Sequence, residues 1–251
     1  LQGTEAAYLA KKAGLKTLVI DKQHDTPASG LCDDFLEFEF TPGCDFPKGH
    51  PPIDLILPAL EDEKVLGAVQ AWSTAADIPL AFDLQAFALS SSKLRSDTLF
   101  RDLGLLAPVP WPDCPFPVVV KPDRASGSRD VRVFETEKAL LEKFPDPKDL
   151  KNRVIQAHVP GPSFSIEVMG KPGDYRVLEV TDLFMDKDHD CRRVTAPTTL
   201  GAPLVDTFKE TAVKLAQEIG LAGIMDLEAI LNRDRLHLLE IDARLPSQTP
   251  T

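Results

Sequence analysis

Two carboxylates and a guanidinium alternate along one stretch of the chain, Glu240-Ile241-Asp242-Ala243-Arg244. In an extended strand, residues two apart share a face. Glu228 lies in a second apolar run, Ile224 to Leu231, and Asn232-Arg233-Asp234-Arg235 between the runs reads as a hairpin turn. A five-residue loop would set Glu228 opposite Glu240, and a four-residue loop would set it on the other face. Like charges placed opposite each other are destabilising unless something offsets them. A hard cation would do so, because magnesium takes oxygen ligands and bridges to phosphates. The alternative is a solvated, acidic sheet face.

Lys121 closes the apolar run Val118-Val119-Val120, and the small residues Ala125-Ser126-Gly127-Ser128 follow. A lysine there either snorkels to solvent or reaches toward phosphate. Such a loop can offer backbone N–H groups to phosphate oxygens, although it has no Walker sequence. Asp21 ends the run Lys16 to Asp21, where Rossmann-type folds place an acid near a ribose. The glycine turn that should accompany it is reduced to Gly3, so a dinucleotide site has little support. His24, His50, His158, His189 and His237 show no metal or triad spacing. Cys32, Cys44, Cys114 and Cys191 contain no C-x-x-C pair, which argues against structural zinc and for a reducing, cytoplasmic home.

The elements that must carry these groups divide the chain. A helical stripe over Ala6 to Ala13 leads to the strand ending at Asp21. Short strands at 54–58 and 78–83 flank a helix over 62–75, which together predict a Rossmann-like α/β unit over 1–86. A broken helix runs to Gly104. Beyond it, strands at 116–121, 131–134, 153–159, 163–169 and 174–184 have few helices between them, an α+β pattern. A helix near 206–219 precedes the acidic hairpin. The second unit spans 87–251, with a smaller lid at about 115–160.

Of 251 residues, 43% are hydrophobic and 27% charged, enough for a sizeable core. The net charge of −11 disfavours nucleic acid and anionic membranes as partners. The 22 prolines are dispersed, and no apolar run is long enough to span a bilayer. The chain does not begin with methionine, and both ends read as cut.

A lysine closing a strand, a small-residue loop, a hinge strand and an acidic E-x-D-x-R hairpin together resemble the ATP-grasp family. The likeness extends to the PylC group of pyrrolysine-biosynthesis ligases, which join 3-methyl-D-ornithine to L-lysine. It is carried by Leu1-Gln2-Gly3, Lys11-Lys12-Ala13-Gly14, Gly223 to Ile230, and above all Glu240 to Thr251 with its Ser247-Gln248-Thr249-Pro250-Thr251 ending. The resemblance implies ATP and Mg2+ as cofactors, with Glu228, Glu240 and Asp242 as metal ligands and Arg244 as the catalytic cation. Lys93, Lys121, Ser126, Gly127 and Ser128 would meet the phosphates, and Gln156, Ala157 and His158 the adenine; Asp21 joins this nucleotide set. Leu1, Gln2 and Glu61 would lie on the lysine side, and Glu167, Ser247, Gln248 and Thr249 on the side of a D-ornithine-type acid. The reaction implied is amide formation through an acyl phosphate. Three departures from the family pattern stand out: Gln156-Ala157 replaces a usual acidic pair, Leu60 replaces a usual asparagine, and Arg124 and Arg129 enter the phosphate loop. Another ATP-grasp substrate pair, or a nucleotide-binding regulator without turnover, are the alternatives.

Overall fold

A computed structural model describes residues 2–125, 127–187 and 189–246. The chain opens with helix α1 (Gln2–Lys12) and strand β1 (Leu18–Asp21), which pairs in parallel with β2 (Asp34–Glu37). The sequence pattern missed β2, because Asp34-Phe35-Leu36-Glu37 brackets its two apolar residues with acids and shows no alternation. The expected strands at 54–58 and 78–83 reduce to a single parallel bridge between Ile56 and Leu80. Proline explains the loss: Pro58 and Pro79 have no N–H to extend a ladder.

Three helices follow, α2 (Glu63–Ala76), α3 (Leu84–Ser90) and α4 (Lys93–Asp102). Each starts at a side-chain cap. Asp62, Asp83 and Ser92 accept backbone N–H bonds from the first turns of α2, α3 and α4 respectively. Leu66, Phe82 and Phe87 form a small core beneath α2 and α3.

A three-stranded antiparallel sheet comes next, built from β3 (Val118–Pro122), β4 (Arg132–Phe134) and, after helix α5 (Glu137–Lys143), β5 (Arg153–Ala157). Its order is β4-β3-β5. Val118, Val120, Leu140 and Phe144 fill its own core.

The main sheet contains β6 (Ser163–Lys171), β7 (Asp174–Met185), β8 (Cys191–Thr195), and, beyond helix α6 (Ala202–Glu218), β9 (Gly223–Asn232) and β10 (Arg235–Asp242). Its order is β10-β9-β6-β7-β8, antiparallel throughout. One face packs on α6: Phe208, Ala212, Leu215 and Ala216 meet Phe164, Ile166, Val168, Met225, Leu227, Ala229 and Ile241. Alternation then dictates that Glu167, Asp226, Glu228, Glu240 and Asp242 occupy the other face. Helix α6 begins four residues before the sequence pattern places it, with Pro203 in its first turn. Gly161 at φ 155° lies so close to the Leu231 carbonyl oxygen that a Cβ there would collide with it, which fastens the segment after β5 to β9.

Candidate active site

The hairpin register decides whether the acids converge. Arg233 and Asp234 both have left-handed φ, 49° and 58°, and Asn232 pairs with Arg235. The loop is therefore a tight two-residue turn. By parity, such a turn alone would set Glu228 opposite Leu239 and send it to the wrong face. A bulge between Leu238 and Glu240 adds one residue to β10, and beyond it Glu240 faces Glu228 and Asp242 faces Asp226. The register that a five-residue loop would have produced is reached by a turn plus a bulge.

Lys93 reaches this face from the first turn of α4. Its ammonium lies 2.9 Å from Glu240 Oε2 and donates to the Ala125 carbonyl at 2.9 Å. Asp123 fixes the start of α4: its carboxylate accepts from Ser92 Oγ at 2.8 Å and the Leu94 N–H at 3.0 Å. Because Asp123 directly follows β3, the same bonds lock α4 to the strand carrying Lys121. Lys121 does not snorkel to solvent. It is 7% exposed and donates to the Leu239 carbonyl on the bulge, at 3.3 Å.

Arg244 is held from three sides. Its Nε lies 3.0 Å from Glu61 Oε1, its second amino group donates to Asp242 Oδ2 at 3.0 Å, and the remaining one donates to the Leu245 carbonyl at 3.4 Å. Glu61 Oε1 also accepts from Gln2 Nε2 at 3.2 Å, which carries the network to α1. The Ser90 hydroxyl accepts the Ala243 N–H at 3.0 Å and pins the end of β10 to α3.

These charges set one another's protonation. Burial alone would lower the pKa of Lys93, but Glu240, with Asp242 and Glu228 behind it, holds it above the ordinary value. Burial would raise Glu240, but Lys93, Lys121 and Arg244 outweigh it and hold its carboxyl below the usual range. Asp242 goes the other way: burial and the neighbouring Glu240 push it up to about 6 against the pull of Arg244. Burial, with Asp242 and Glu228 beside it, also pushes the Asp226 carboxyl well above the usual carboxylate range.

Of the residues picked out in the sequence, the structure gathers Lys93, Lys121, Glu228, Glu240, Asp242, Arg244, Glu61, Gln2 and Glu167 around one sheet face and its rim. Gly127 and Ser128, both at left-handed φ, form the loop above Lys93, and Ser128 Oγ donates to the His189 carbonyl at 2.7 Å. Gln156 is buried on β5 with its Oε1 unpartnered. The N–H groups of Ala157 and His158 are already donated to Val109 and Pro117, so this segment would read a base through acceptors. Asp21 ends β1 and accepts the Gln23 N–H within its own loop, a bond typical of a strand-end residue. Leu1, Ser126, Ser247, Gln248 and Thr249 lie outside the described residues.

Two acids escaped the sequence reading. Asp226 is one residue beyond the apolar start of β9 and two before Glu228, a spacing that does signal a shared face. Asp97 stands one turn after Lys93 on α4, with an Oδ1 that is sealed from solvent and lacks a hydrogen-bond partner. Burial pushes its carboxyl up to about 6, against the fields of Lys121 and Arg101. An acid raised in the folded state contributes stability below its unfolded value near 3.8 and loses it as pH rises through 6. Asp97→Asn is therefore expected to raise the melting temperature at pH 8 by roughly 5 °C, from a gain of about 2 kcal/mol. At pH 4 the difference should vanish, and calorimetric scans at both pH values check it.

The donor set suits a hard cation. Glu228, Glu240 and Asp242 supply carboxylate oxygens, but among the described residues no group of three or more acids, histidines or cysteines converges closely enough to cage a metal. Magnesium is usually bound by one or two carboxylates, with phosphate oxygens and water completing its shell. The residues present fit that partial role.

Residues 90–248 match a known family, described as an ATP-grasp domain. Over its whole length the chain is 36% identical to the 3-methyl-D-ornithine–L-lysine ligase of Methanosarcina mazei and covers 65% of that protein. It is 32% identical to the ligase of the same name from Methanosarcina barkeri and covers 66% of it. The chain thus spans just under two thirds of these relatives. Its fold matches the biotin carboxylase domain of Hydrogenobacter thermophilus 2-oxoglutarate carboxylase, solved with MgADP and bicarbonate, at a TM-score of 0.77 and 15% identity, over 98% of this chain and 62% of that one. An antiparallel sheet bearing an acidic hairpin, a small three-stranded lid and two lysines aimed between them agree with these likenesses, and the chain belongs to the ATP-grasp family.

Proposed function

We propose that the chain is the nucleotide-binding and amide-forming part of an ADP-forming carboxylate–amine ligase, which joins a D-ornithine-type acid, 3-methyl-D-ornithine in pyrrolysine biosynthesis, to the ε-amine of L-lysine. One observation carries the reading: Lys93, Lys121 and Arg244 converge on the sheet face that holds Glu228, Glu240 and Asp242. Alternating fixed charges of this kind suit a phosphoryl group flanked by metal. The names of the Methanosarcina relatives supply the substrates, and the MgADP complex of the biotin carboxylase domain supports ATP and Mg2+. Residues 1–86 would be the Rossmann-like unit that brings Gln2 and Glu61 to the acceptor side. A cytoplasmic setting suits such substrates; among the described residues no helix is long and apolar enough to cross a membrane.

The chain's residues would divide the work as follows. Lys93 and Lys121 hold the phosphates, and the 124–130 loop covers them and excludes water, which protects an acyl phosphate from hydrolysis. Gln156 and the backbone beside it face the base. A carboxylate oxygen of the acid attacks the γ-phosphorus and ADP leaves. The neutral amine then attacks the carbonyl carbon, phosphate leaves, and the nitrogen loses a proton. Arg244 faces the charge that develops in both steps. Magnesium, when bound through Glu228, Glu240 and Asp242, would neutralise phosphate charge. Glu167, with Ser247, Gln248 and Thr249, would orient the acid.

The test is ADP release by the full-length protein against a panel of D- and L-diamino acids, each with and without lysine. Mass spectrometry of the product should show an amide through the lysine side chain. ATP binding without acid-dependent ADP release would instead identify a nucleotide-binding regulator.

A further inference from the structure

A ring of contacts runs around the edge of the acidic face. Lys93 lies 2.9 Å from Glu240 Oε2 and donates to the Ala125 carbonyl at 2.9 Å. The guanidinium of Arg124, the residue before Ala125, lies 2.5 Å from Glu63 Oε1 at the start of α2. Glu63 stands two residues after Glu61, which holds Arg244 Nε at 3.0 Å. Arg244 pairs with Asp242 at 3.0 Å, and Asp242 stands two residues after Glu240, where the ring closes. The α3–α4 junction braces it: Ser91 Oγ donates to Glu63 Oε1 at 3.4 Å and Ser92 Oγ to Asp123 Oδ1 at 2.8 Å. Three consecutive acids thus have separate duties. Glu61 meets Arg244 and Gln2, Asp62 caps α2, and Glu63 takes Arg124. One link of the ring differs from the rest. The side chains of Lys93 and Arg244 are 15% and 10% exposed, whereas those of Arg124 and Glu63 are 49% and 46% exposed. An exposed pair of this kind adds little to stability. Its effect is geometric, because it joins the loop beside Lys93 to the segment that carries Glu61.

We propose that Arg124 and Glu63 are a positioning pair that couples the nucleotide side of the site to the amine side, so that ATP and L-lysine each bind more tightly in the presence of the other. The inference rests on the ligase reading above, which sets lysine beside Glu61 and Gln2 and the phosphates beside Lys93. Phosphate at Lys93 fixes the Ala125 carbonyl and, one residue away, Arg124. An ammonium at Glu61 fixes the 61–63 segment and with it Glu63. Whichever ligand binds first orders both segments through the pair, and the second ligand finds its own segment already in place. The two affinities must then change by the same factor. A pair this exposed can carry a factor of only about 5.

The test is L-lysine affinity of the full-length protein, measured by calorimetry in magnesium with and without a non-hydrolysable ATP analogue. The wild type is expected to bind lysine about 5-fold more tightly with the analogue present. In Glu63→Gln, Arg124→Gln and the double variant that factor should fall to about 1, to the same extent in all three, because either loss opens the same ring. Arg124→Lys keeps the charge and should keep most of the factor. Melting temperatures should stay within about 1 °C of the wild type, which separates positioning from stability. Absence of coupling in the wild type, full coupling in Glu63→Gln, or partial losses that add in the double variant overturn the pair. Coupling that is lost in the single variants, in a protein that forms no amide from lysine and any acid, overturns the ligase reading and leaves the pair standing.

Discussion

Glu240→Gln is expected to lower magnesium-dependent ADP release by about 100-fold or more while leaving the fold intact. Glu240 is where the charges of the site meet. It faces Glu228 across the hairpin and lies 2.9 Å from the Lys93 ammonium. Lys93, Lys121 and Arg244 together hold its carboxyl below the usual range despite burial. The amide keeps the volume and an acceptor for Lys93 but would supply no negative charge to a bound metal. The fold survives because the hairpin is held elsewhere, by Ile241 in the core and by the Ala243–Ser90 hydrogen bond. Raising magnesium should recover part of the rate if a ligand has been weakened. Near-normal ADP release by the variant, with an unchanged magnesium requirement, would remove Glu240 from the metal set.

The hairpin also marks how far the sequence could be read. Its alternation showed that Glu240 and Asp242 share a face, because a two-residue period survives in any strand. Whether Glu228 joins them depended on one bulge at Leu239, which leaves no mark in a run of Leu238-Leu239-Glu240. The long helices, strands β6 and β7 and the β9–β10 hairpin were legible from apolar periodicity. The 54–58 and 78–83 segments were not, since apolar runs interrupted by proline look like strands until hydrogen bonds are assigned. Lys93 and Glu61 gave no local signal at all. They enter the site through Asp123, which caps the helix of one, and Arg244, which pairs with the other, over separations that no local pattern encodes. Asp97 was hidden for the same reason: its partners Lys121 and Glu240 come from β3 and β10.

Arg244→Lys is the second large expected effect: turnover falls about 100- to 1,000-fold, with ATP affinity changed far less. The guanidinium makes separate contacts to Glu61, Asp242 and the Leu245 carbonyl, which fix its plane. A lysine ammonium keeps the positive charge beside Asp242, so the acidic face is not left uncompensated and the protein should still fold. Removing the cation outright would leave buried acids unpaired at a cost of about 3–5 kcal/mol, which would confuse catalysis with stability. Lysine cannot present a planar fork, so any loss in kcat reads the geometry and not the charge. Glu61→Gln supplies the complementary measurement. It keeps an acceptor for Arg244 Nε and Gln2 Nε2 but withdraws a charge, and it is expected to cost only about 10-fold if Glu61 mainly aims the guanidinium. Steady-state kcat and KM for ATP, acid and amine, with calorimetric ATP affinity, separate the outcomes. If Arg244→Lys retains kcat and instead raises KM for ATP, Arg244 binds the nucleotide in the ground state and is not the group that meets developing charge.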